Sequence, residues 1–151
     1  MAEQQIVATA WTPAPPALVY RLLRSGVTWP TWSPIDSFEL ERTGPDGEEG
    51  LGAIRLFHTG RVTSREEIVE LVPDRRFSYS LLHGLPMRGY RADIDLEPHD
   101  GGTTIRWQSR FHAKYPATGG VLRRFFSRFL QRCVDGLAAH AAEAAERAAS
   151  A

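Results

Sequence analysis

Val121–Arg147, VLRRFFSRFLQRCVDGLAAHAAEAAER, decides how this chain folds. Advanced by 100° per residue, Leu122, Phe125, Phe126, Phe129, Leu130, Cys133, Leu137, His140 and Ala141 share one broad face. Arg124, Arg128 and Arg132 share the opposite one. A helix of this span is ~40 Å long, and its apolar face needs a partner surface of similar size. The Ala-rich end predicts a fraying tail over about residues 141–151.

The partner surface lies upstream. Leu51–Thr59, Arg61–Val72, Arg75–His83, Met87–Glu97 and Thr103–His112 read as five strands, joined by short turns that contain Gly or Pro. Such turns imply an antiparallel meander. Phe77, Tyr79, Leu81 and His83 alternate with Ser78 and Ser80. Tyr90, Ala92, Ile94 and Leu96 alternate with Arg91, Asp93, Asp95 and Glu97, and Ile105, Trp107 and Phe111 with Arg106, Gln108 and Arg110. One face of the sheet is therefore apolar and the other meets water. Arg61–Val72 does not settle its register, because Ile68 and Val69 are adjacent apolar residues; whether Glu66, Glu67 or Glu70 faces inward stays open.

Working outward, Gln4–Trp11 reads as a strand, Pro16–Arg24 as a short helix that tolerates proline in its first turn, and Val27–Pro34 as a tight helical turn or loop. Ile35–Arg42 is a further strand. The expected architecture is α+β: a seven-stranded curved antiparallel sheet around one long C-terminal helix, with two short helices between strands 1 and 2. It forms a single domain over residues 1–151.

Composition excludes several functions. Eighteen basic residues balance eighteen acidic ones, so no global field draws the chain to nucleic acid. Cys133 is the only cysteine, which precludes an intrachain disulfide. No apolar stretch approaches the ~20 residues of a membrane span, and Met1–Ala8 lacks the pattern of a secretory leader. A cytoplasmic protein, monomer or homodimer, is expected. His58, His83, His99, His112 and His140 are dispersed without ligand spacing, so no metal is expected. No phosphate-binding glycine loop or nucleophile elbow is present, and no cofactor is expected.

A curved sheet and a straight helix cannot touch along their whole lengths. Where side chains leave the gap open, an apolar cavity with a few polar groups remains, the usual form of a small-molecule site. Tyr79, His83, Tyr90 and His140 are the polar groups that could point into it.

Several segments carry a family likeness: Trp29-Pro30-Thr31-Trp32-Ser33-Pro34, Val72-Pro73-Asp74-Arg75-Arg76-Phe77-Ser78-Tyr79, Gly84-Leu85-Pro86, Gly102-Thr103-Thr104-Ile105-Arg106-Trp107 and Lys114-Tyr115-Pro116-Ala117-Thr118-Gly119. With the element order, they make the chain resemble the START/Bet v 1-like (SRPBCC) superfamily, and within it the bacterial polyketide cyclase/dehydrase-like lipid-binding proteins. The resemblance implies the helix-grip fold and an internal cavity but no shared catalytic motif. Fold alone does not give function. Three readings follow: binding of a small hydrophobic ligand such as a lipid, polyketide or isoprenoid; a metal-free cyclase or dehydrase; or an interaction module with a vestigial cavity. The candidate ligand contacts are Tyr79, Leu81, His83, Tyr90, Ile94, Trp107, Phe125, Phe129 and Cys133. Tyr79 and Tyr90 could orient a ligand carbonyl or transfer a proton. Cys133 reads as a small hydrophobe rather than a nucleophile, and the arginine stripe as a solvated face.

Overall fold

The computed structural model describes residues 2–151. Strand β1 (Gln4–Thr12) leads to α1 (Pro16–Arg24), a 3-10 turn (Gly26–Thr28) and the four-residue α2 (Trp29–Trp32). Then come β2 (Ser37–Arg42), β3 (Ile54–Thr59), β4 (Val62–Val72), β5 (Arg76–His83), β6 (Met87–His99), β7 (Gly102–Ala113) and α3 (Gly119–Ser150). The seven strands form one antiparallel sheet in the order β1-β7-β6-β5-β4-β3-β2. This is the helix-grip fold.

Helix α3 begins two residues earlier than its periodicity indicates and continues to Ser150. The stretch expected to fray is helical. Ala141 is fully buried, and Ala144 and Ala145 pack against the core. Leu51–Ala53, expected in a strand, forms the turn before β3.

Irregularities decide which side chains face α3. In β4, Ile68 pairs with Tyr79 and Glu70 with Ser78, leaving Val69 as an extra residue. Ser64, Glu66 and Ile68 point inward before this bulge and Leu71 does so after it, which is why the sequence alternation breaks there. In β5, Leu82 is extra, and His83 sits opposite Arg65 on the solvent side. In β6, Gly89 has φ +62° within a bulge opposite β7, and the bulge returns Tyr90 to the inner face.

The two faces of the sheet differ in chemistry. On the convex face Arg76 donates to Asp95 (2.7 Å) and Arg91 to Glu70 (2.6 Å). Asp93 accepts from Ser78 (2.6 Å) and Arg91 (3.1 Å). The concave face carries Phe77, Tyr79, Ile94, Ile105, Trp107 and Phe111, all buried.

Helix α3 packs chiefly on β1 and β7 and touches α1 and α2. The closest approach is at Gly136, where an added Cβ would collide with the carbonyl oxygen of Trp32. Only glycine fits there. Two residues further on, Thr12 donates its hydroxyl to the carbonyl of Ala138 (2.9 Å), tying β1 to the same part of the helix.

Candidate functional site

Between the first half of α3 and the inner faces of β3–β7 lies a cavity of about 200 Å³. Phe125, Phe126, Phe129, Leu130 and Cys133 form its helix wall. Trp29, Ile35 and Phe57 close one end, and Leu81, Leu85, Tyr79, Tyr90 and Trp107 supply most of the sheet wall. The wall is largely aromatic and aliphatic, with Glu66, Ser64, Thr59 and the two tyrosines as its polar side chains.

The tryptophans of α2 hold the closed end in place. Trp29 makes tilted ring contacts at 4.8 Å with both Trp32 and Phe57 and meets Trp107 edge-on at 5.6 Å. Its indole N–H donates to the carbonyl of Leu23 (3.0 Å), and that of Trp32 donates to Thr28 Oγ1 (3.1 Å). Each ring therefore satisfies its one polar group locally while offering its body to the core.

Of the residues singled out from sequence, Tyr79, Leu81, Tyr90, Trp107, Phe129 and Cys133 lie on the cavity wall. Phe125 also reaches it but is 63% exposed, so it stands at the mouth rather than inside. Its ring meets Phe126 edge-on at 5.3 Å. Two placements differ from expectation. His83 is exposed and borders an outer groove beside Lys114 and Tyr115, because the Leu82 bulge turns it out. Ile94 is fully buried in the solid core, between Phe77 and Trp107 on the neighbouring strands, and does not reach the cavity. His140, the other inward polar candidate, is also off the cavity wall.

Glu66 is the one ionisable carboxylate on the wall. It accepts a hydrogen bond from Ser64 Oγ (3.1 Å). It is partly accessible on the cavity wall, and burial pushes its carboxyl up to about 7 against the opposing pull of Arg55 and Ser64. At neutral pH the carboxyl is poised between its two protonation states.

Tyr79 and Tyr90 stand with ring centroids 6.1 Å apart, close enough for each to influence the other's ionisation. Burial, with the neighbouring Glu66 charge, raises both phenols above their ordinary value and keeps them protonated. The hydroxyl of Ser109 lies beside Tyr90 without a well-aligned hydrogen bond, and the indole N–H of Trp107 is buried without a partner. Burial raises the Cys133 thiol as well, so it remains a thiol and acts as wall material.

Arg55 is the residue that sequence reasoning passed over. It sits opposite Glu66 on β3, only 2% exposed, and does not line the cavity. Its guanidinium lies 5.1 Å from the ring centroids of Trp29 and Phe57, 5.3 Å from Phe77 and 5.7 Å from Phe38. It donates to the carbonyl of Leu23 (3.1 Å) and ion-pairs with Glu49 at 3.1 Å, though its Nε is out of line for a hydrogen bond. Burial lowers its pKa to about 10, so it stays charged at neutral pH. The signal in the sequence was an arginine at an inward position of Ala53-Ile54-Arg55-Leu56-Phe57, a place normally filled by an apolar residue.

Among the described residues no cluster of three or more His, Cys, Asp or Glu is arranged to hold a metal ion, and no helix is long and apolar enough to cross a membrane.

Solved structures with the same fold include Ara h 8.0201, at 17% identity with a TM-score of 0.74, covering 93% of this chain and 98% of that one. A START superfamily protein from Mycobacterium smegmatis matches at 12% identity and TM-score 0.79, covering 92% and 97%. A protein from Thermus thermophilus matches at 20% identity and TM-score 0.69, covering 93% and 99%. A search of curated proteins found no match by sequence. The family profile described as polyketide cyclase / dehydrase and lipid transport matches residues 3–142, nearly the full length of the described fold, and the chain belongs to that family.

Proposed function

We propose that the chain binds a small, predominantly apolar molecule in the cavity between α3 and the sheet. The observation that carries this reading is a void of about 200 Å³ walled mainly by aromatic and aliphatic side chains. An apolar cavity of about 150 Å³ already admits benzene. Burying the ligand's apolar surface supplies the affinity, at roughly 25 cal/mol per Å² before association costs. Native mass spectrometry of the purified protein tests the reading. We expect a bound small molecule, retained on purification or taken up from a short-chain amphiphile, and its loss in Cys133→Phe, which fills the cavity from the helix side. A protein that takes up nothing, or a Cys133→Phe variant that binds equally well, refutes it.

Convergence of Glu66, Tyr79 and Tyr90 on one space favours a second reading, acid–base chemistry on a polyketide-like substrate. A carboxyl poised near neutrality can take a proton from an activated carbon, and a protonated phenol can stabilise the developing enolate. Turnover of a poly-β-ketone that Glu66→Gln abolishes would favour this reading. Binding without turnover leaves the carrier role.

A further inference from the structure

We propose that the cavity selects a ligand bearing a hydroxyl group, an alcohol or phenol on an apolar body, and that Glu66 discriminates it from a carboxylate of the same size. The inference rests on the cavity being a binding site, as argued above.

The groups packed around Glu66 define what its end of the cavity can accept. On its own strand is Ser64, already hydrogen-bonded to it (3.1 Å). Across β3 is Arg55, and across β5 are Leu81 and Tyr79. Tyr90 approaches from β6 and Cys133 from α3. Arg55 is the only cation among them. It lies behind the rings of Trp29 and Phe57, paired with Glu49, and does not open onto the cavity. An entering carboxylate would meet an acid and no accessible cation. Its charge would be stripped of water beside a second acid, with only neutral phenol donors to meet it, a costly arrangement for a buried ion.

A hydroxyl matches the same groups. Its O–H donates to the Glu66 carboxylate, and its oxygen accepts from the phenol of Tyr79 or Tyr90, both held protonated by burial. A ketone satisfies only the phenols and gives the carboxylate no donor beyond Ser64. The apolar body then extends toward Phe129 and Phe125 and the mouth.

The test uses the intact protein with 1-octanol and octanoate, measured by calorimetry and by tryptophan emission, to which Trp29 and Trp107 on the cavity wall contribute. At about pH 8 we expect octanol to bind roughly tenfold or more tightly than octanoate. At about pH 5.5, with Glu66 protonated and able to donate, the gap narrows. Glu66→Gln brings the two ligands to within about threefold at pH 8 and removes the pH dependence. Tyr90→Phe provides an independent variant and weakens octanol about threefold to tenfold. Octanoate binding as tightly as octanol to the unaltered protein at pH 8 overturns the proposal. So does a preference that neither substitution changes, since desolvation alone would then explain it. Binding of neither ligand defeats the cavity reading itself, an outcome distinct from binding without preference.

Discussion

The two halves of α3 solve different problems. From Gly119 to Cys133 the helix presents Phe125, Phe126, Phe129 and Leu130, and the space beneath it stays partly open. From Val134 onward it presents Gly136, Ala138 and Ala141 and lies directly on β1 and the α1–α2 region. Large side chains line the open space beneath the first half, which still reaches β1 through Gln131 and the Thr9 carbonyl (3.1 Å), while the missing side chain of Gly136 lets the second half touch the α2 backbone. The chain thus separates anchoring from hollowing along one rod, and the solid half supplies the stability that the hollow half forgoes.

The contrast can be broken from either side. Leu130 is 1% exposed and belongs to both cavity wall and core. Leu130→Ala should cost about 2–5 kcal/mol in urea denaturation while enlarging the cavity. In the anchoring half, Gly136→Ala should cost about 1–3 kcal/mol even though alanine favours helix, because its methyl meets the Trp32 carbonyl. A stabilised variant would mean that α3 does not approach α2 as described.

Glu66 tests the hollow half through pH. Its folded pKa, about 7, lies above the ordinary 4.5, so the native state holds the proton more firmly than the unfolded chain. The resulting stability is complete below about pH 4.5 and is lost as pH rises through 7. Glu66→Gln should therefore be more stable than the parent at pH 8, by about 1–2 kcal/mol, with the difference fading toward pH 4.5 in thermal melts. The smallest effect belongs to Phe125. Its exposed ring should cost less than about 0.5 kcal/mol when replaced by alanine. The same change should speed ligand exchange in stopped-flow fluorescence, since the ring guards the mouth.

How much of this was legible beforehand follows from the physics of each element. Strict alternation in β6 and β7 and the helical period of α3 fixed the sheet face and the grip, because burial on one side imposes a repeat. The site was harder. Glu66 could not be assigned because the Val69 bulge breaks the period, and His83 was misplaced because the Leu82 bulge does the same. Neither bulge carries a glycine that would announce it; Gly89 in β6 does. Arg55 escaped notice because its burial depends on four rings and a carboxylate brought together from distant segments.

The sheet has two free margins, and the one at β2 bears on self-association. Its Ser37–Arg42 segment carries Glu39, Glu41 and Arg42, and its pairing with β3 is kinked between Leu40 and Arg42. Glu39 is engaged by His58 and Glu41 by Arg65. A second copy docking there strand to strand would stack carboxylates on carboxylates along a bent ladder, so the margin resists growth into fibres.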